Sequence, residues 1–118
     1  MVALALVCMF IVSILCIPAA AASGTFYKPE IPANSSKNIV SFYLSYEGCC
    51  GGTVTANPMS KPIKFVVYRG STTYDILPYW ALLPSYSCAN MKAGYTYTLA
   101  LKAEAHTAMG IEGTYYYY

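Results

Sequence analysis

The 118-residue chain is 57% hydrophobic and only 10% charged, with a net charge of +2. Its lysines are scattered singly, which excludes the clustered basic face that nucleic-acid binding needs. A single histidine, and no glycine-rich phosphate loop or calcium loop, provision catalysis poorly, so no enzymatic activity, cofactor or metal is expected.

Val2 to Ile17 runs almost without a polar residue, Pro18 ends the run, and the small residues Ala19 to Ser23 follow. An apolar core followed by an A-x-A site is the pattern of a secretory signal peptide, although no Lys or Arg precedes it. The run of sixteen residues falls short of the roughly 20 that a membrane span needs. Residues 1–22 are therefore expected to be cleaved, leaving a secreted, extracellular protein with no membrane contact. The remaining 96 residues support one domain with a modest core. Residues 23–38, rich in Pro and small polar side chains, read as an extended lead-in with one short strand at most, and 39–118 as a single domain. Asn34-Ser35-Ser36 is an N-x-S acceptor, which marks Asn34 for glycosylation if the source is eukaryotic.

Ile39–Tyr46 (IVSFYLSY) alternates, with Val40, Phe42, Leu44 and Tyr46 on one face, as in a half-buried strand. GCCGG follows as a turn, and Thr53–Ala56 as a short strand before Asn57-Pro58 breaks it. Ile63–Arg69 (IKFVVYR) is a strand with Ile63, Phe65 and Val67 facing inward. Pro78 and Pro84 deny a long helix to residues 72–88, which read as short edge strands or loop. Tyr95–Ala103 is a strand with Tyr95, Tyr97, Leu99, Leu101 and Ala103 on one face, and IEGTYYYY is a final strand. Six to seven short strands with regular turn signals define an all-β chain, an antiparallel β-sandwich or barrel.

Met91, Ala93, Tyr95, Tyr97, Leu101 and Ala103 keep the spacing of the sixth-strand pattern of fibronectin type III domains, and PIKFVVYRG resembles that family's third strand. The chain thus resembles a fibronectin type III or immunoglobulin-like β-sandwich over roughly residues 38–110. The resemblance implies a tyrosine corner at Tyr97, whose hydroxyl would bond back to the chain. It departs from the family in lacking a Trp on the second strand and in placing Ala93 where the corner has Pro.

Three cysteines lie beyond the leader: Cys49, Cys50 and Cys88. Adjacent Cα atoms lie about 3.8 Å apart, below the roughly 4.4–6.8 Å that a disulfide spans, so one of the pair is expected to join Cys88. Continuing the alternation of Val40 to Tyr46 selects Cys50 for that bond. Cys49 then points outward, a leftover thiol available for a disulfide-linked homodimer or partner. A zinc site from these cysteines and His106 has the right ligand types, but the adjacent pair lacks a two-residue spacer and export favours oxidation. Glu104 and His106 at a strand end read as a solvated rim.

The segment Ile76–Ser87 is strongly apolar. As a loop it exposes Tyr79, Trp80, Leu82 and Leu83 as a contact patch; folded inward, it supplies Trp80 to the core, the reading favoured here. These features point to a secreted, non-enzymatic module that contacts a protein or cell-surface ligand through loops. The alternative is a tyrosine-rich structural component of an extracellular coat, cuticle or eggshell.

Overall fold

The computed structural model describes residues 22–108 and 110–118, so the expected leader lies, but for Ala22, outside the described residues. Eight strands follow in chain order: β1 (Ala22–Lys28), β2 (Ser36–Tyr43), β3 (Gly48–Ala56), β4 (Ile63–Arg69), β5 (Thr72–Ile76), β6 (Ser85–Met91), β7 (Thr96–Ala103) and β8 (Ile111–Tyr117). They form two antiparallel four-stranded sheets, ordered β1-β8-β3-β6 and β2-β7-β4-β5. The chain is an all-β sandwich, and the lead-in contributes all of β1 but Ala22, paired with β8 from Ala22↔Tyr117 to Lys28↔Ile111.

Every successive connection crosses between the sheets except the β4–β5 hairpin. Eight strands wound in this way are a jelly roll. In an immunoglobulin-like sandwich the first two strands are neighbours in one sheet, whereas β1 and β2 lie in different sheets here. The fibronectin type III likeness is therefore corrected to a local one. A tyrosine corner requires only a strand and the turn before it, and is indifferent to how the remaining strands connect.

The core follows the period of two that strands impose. Ile63, Phe65 and Val67 of β4 and Tyr97, Leu99, Leu101 and Ala103 of β7 are fully buried. They face Phe26, Cys50, Val54, Tyr86, Cys88 and Ile111 from the other sheet. Aromatic rings bridge the two layers: Phe42 stacks on Tyr117 with centroids 4.4 Å apart, and Phe65 on Tyr86 at 5.9 Å.

Two local expectations are corrected. β2 starts three residues early and ends at Tyr43, with a register shift between Asn38 and Val40. Tyr46, placed on the inward face by alternation, lies in the following bend and is 84% exposed. GCCGG is part of β3 instead of a turn. Its glycines make room for rings: a Cβ on Gly52 would lie 2.8 Å from Cε1 of Phe65, and one on Gly51 would meet the Tyr116 hydroxyl and the Tyr86 carbonyl. Gly51 and Gly52 are the cross-strand partners of Tyr116 and Tyr115. Aromatic rings covering strand glycines stabilise such a pairing, so the composition that reads locally as a turn belongs here to a crowded strand.

Candidate functional site

β3 and β6 place Cys50 and Cys88 directly opposite each other. Cys49 exchanges both backbone hydrogen bonds with Tyr118, at 2.7 and 3.0 Å. Backbone groups alternate in direction along a strand, so those of Cys50 point the other way, toward β6. Cys50 and Cys88 thus form a hydrogen-bonded pair with Cα atoms about 5.5 Å apart, within the span of a disulfide. Both side chains are buried on the inner face and carry thiols in this structure.

The opposite sheet contributes a polar neighbour that no sequence signal marked. Asp75 of β5 reaches across the layers and accepts a hydrogen bond of 2.5 Å from the Tyr86 hydroxyl. Tyr86 sits two residues before Cys88 on the same face of β6, so thiols, phenol and carboxylate share one edge of the sandwich. Burial pushes the Cys50 thiol far above its ordinary 9.0, and the charges that Cys88, Cys49 and Asp75 can carry add to the effect. Burial also raises Cys88, against a hydrogen bond from Tyr86 that lowers it. Tyr86 is pushed up by burial first and by its bond to Asp75 second. The two inner thiols and the phenol therefore hold their protons, and the thiols are weak nucleophiles.

A pH dependence follows. A raised folded-state pKa means that the protonated form is favoured by folding, so this contribution is complete below the unfolded pKa and is lost as pH rises beyond it. With unfolded thiols near 8.5 and tyrosine near 10, the reduced protein is expected to lose stability progressively from about pH 8.5 upward. Urea midpoints of reduced protein that stay constant between about pH 7 and 10 would contradict this.

The other residues singled out in the sequence are dispersed. Cys49 lies on the outer face of β3, as alternation implies, yet only 4% of it is exposed, which corrects the expectation of an accessible thiol. Its backbone pairs with Tyr118, whose ring stacks on that of Tyr116 at 5.6 Å on the same outer face. Asn34 is exposed in the β1–β2 turn, at a positive φ of 55°. The Tyr97 hydroxyl donates to the carbonyl of Lys92 at 2.6 Å, while its ring is fully buried.

In the β5–β6 connection, Tyr79, Leu82 and Leu83 are exposed, the last two by 48% and 58%. Leu77, not Trp80, turns inward, its N–H donating to the Phe65 carbonyl at 3.0 Å. Trp80 is half-buried with the Lys64 Nζ 4.2 Å from its ring centroid. Lys64 alternates with the inward Ile63 and Phe65, so Trp80 lies toward the outer side of β4, a correction to the inward reading. The reason is the two-way backbone pairing of Ala81 with Ile63, which holds the segment alongside β4. His106 pairs with Glu30 at 2.9 Å, not with Glu104.

Comparison with known sequence families gives no match, and comparison with curated proteins gives none either. A solved structure from Bacillus endospore appendages, described as a novel family of disulfide-linked pili, is similar in fold, with a TM-score of 0.52. The alignment covers 82% of this chain and 85% of that one at 14% identity. At that identity the likeness is one of fold.

Proposed function

We propose that this chain is a structural subunit of an extracellular assembly built from copies of itself. The observation that carries the reading is the exposed apolar run of Tyr79, Leu82 and Leu83 beside the half-buried Trp80. Contiguous exposed apolar surface on an exported protein marks a contact site. The neighbouring edge of the sandwich is closed by β5 and β6, each paired on one side only, and unpaired edges favour association. The fold shared with a subunit of disulfide-linked pili supports the same reading. In this reading the protein acts outside the cell as building material and not as an enzyme.

Sedimentation velocity of the secreted protein tests the proposal. Association that grows with concentration is expected, and Leu82→Glu combined with Leu83→Glu should return the protein to a folded monomer. A monomer at every concentration would overturn it. A covalent dimer through Cys49 additionally requires residues 116–118 to move off β3. It is therefore expected only under conditions that also make Cys49 reactive to alkylating agents.

A further inference from the structure

The end of the sandwich opposite the Tyr79–Leu83 segment carries a second feature that assembly does not use. Arg69 is the last residue of β4 and pairs with Tyr97 of β7. Its side chain continues the inward phase of Ile63, Phe65 and Val67, and so emerges at the open end between the layers. The guanidinium carbon lies 4.2 Å from the ring centroid of Tyr95 and 5.4 Å from that of Tyr74. The Tyr74 and Tyr95 rings in turn stand edge-on to Tyr97, with centroids 5.0 and 6.3 Å away. Among the described residues no carboxylate pairs with Arg69, the one ion pair being that of His106 with Glu30. The Arg69 guanidinium is thus held by rings and by a hydrogen bond to the Tyr97 hydroxyl, while the rest of its planar fork of N–H donors makes no ion pair. Cation–π contacts fix a guanidinium without consuming those remaining in-plane donors.

The surroundings are open and aromatic. Gly70 and Gly94 flank the group in turns of positive φ, and a Cβ on either would meet nothing within 4 Å. Tyr95 is itself exposed. The Leu44 segment hydrogen-bonds to Gly94 and Tyr95, which brings the exposed Tyr46, two residues further on, to the same rim.

We propose that this rim is a binding site for an acidic polysaccharide, with a uronate carboxylate on Arg69 and sugar faces against Tyr95 and Tyr46. A carboxylate matches the guanidinium fork in a bidentate manner. Tyrosine rings offer flat, amphipathic faces at low entropic cost. The site is independent of the assembly reading, since it involves neither the Tyr79–Leu83 segment nor the strand edges.

Affinity electrophoresis of the secreted protein in gels containing polygalacturonate tests it, with fully methyl-esterified polygalacturonate as the neutral arm. Retardation is expected in the first gel and not in the second. Arg69→Met should weaken retardation by about tenfold or more, and Arg69→Lys, which keeps the charge but loses the fork, should restore only part of it. Tyr95→Ala should weaken it with Arg69 intact. Lys37→Met removes the same charge at the far end of the sandwich and should leave retardation unchanged. Thermal midpoints of each variant show that the fold is retained. Absence of retardation, equal retardation by the neutral polymer, or an equal loss in Lys37→Met would each overturn the proposal. Inorganic phosphate that releases the protein as well as free galacturonate does would also overturn the assignment to uronate.

Discussion

Non-reducing proteolysis of the oxidised protein is expected to release a peptide pair joined through Cys50 and Cys88. Oxidised glutathione, or an equivalent disulfide donor, supplies the oxidation: two thiols become one cystine while the donor is reduced to two thiols. The choice between the adjacent cysteines rests on faces. Cys50 and Cys88 are cross-strand partners on the inner face, whereas Cys49 lies on the outer face of β3 and would have to pass through the sheet to reach Cys88. Loop closure over nearly forty residues makes such a bond worth about 4 kcal/mol, a large share of the roughly 5–15 kcal/mol that holds a small domain together.

Cys88→Ser should therefore lower the stability of the oxidised protein by about 4 kcal/mol, whereas Cys49→Ser should leave the linked peptide in place. A linked peptide containing Cys49 and Cys88 would refute the register argument. Because burial keeps both inner thiols protonated, oxidation belongs to the time before the sandwich closes. Oxidant added to folded, reduced protein should act slowly, and the same oxidant added during refolding should act fast.

The second large effect is expected at Phe65, which joins the layers at their centre. It is fully buried, stacks on Tyr86 and meets Phe26 edge-on at 6.3 Å. Phe65→Ala should cost about 3–5 kcal/mol, the sum of lost transfer energy and the cavity left behind. Gly52 shares that site from the other sheet. Gly52→Ala would place a Cβ 2.8 Å from the Phe65 ring and 2.9 Å from the carbonyl oxygen of Thr114, and should cost about 1–3 kcal/mol through overpacking. If the ring is the main obstacle, the two costs do not add: Gly52→Ala in the Phe65→Ala background should be milder by about 1 kcal/mol or more. Strict additivity in urea unfolding would move the obstacle to the backbone of β8.

Alternation along single strands made much of the fold legible. Ile63, Phe65 and Val67 are buried as their spacing implies, and Tyr97, Leu99, Leu101 and Ala103 likewise. What alternation does not carry is which strand lies beside which. The motif around Tyr97 suits any sandwich with a strand after a tight turn, so it led to a fibronectin-like arrangement where the connections form a jelly roll. GCCGG misled for a related reason: glycine suggests a turn when read locally, and only the rings of Phe65 and Tyr116, distant in sequence, show why a strand needs it. The thiol cluster was half legible. Cys50 and Cys88 were, but Asp75 lies in a segment broken by prolines and reaches Tyr86 only because β5 and β6 close the same edge of the sandwich. The guanidinium of Arg69 had no local signal at all, since its aromatic neighbours come from β5 and from the turn before β7.

The pairing of β1 with β8 sets an order of events. Residues 22–28 find their hydrogen-bond partners only in residues 111–117, and nearly every neighbour in either sheet is remote in sequence. Such non-local closure is slow, so a chain threaded through a membrane from its N-terminus would stay open, and able to pass, until β8 had followed. Folding would then be confined to the far side, where an oxidising medium meets Cys50 and Cys88 before the layers seal over them.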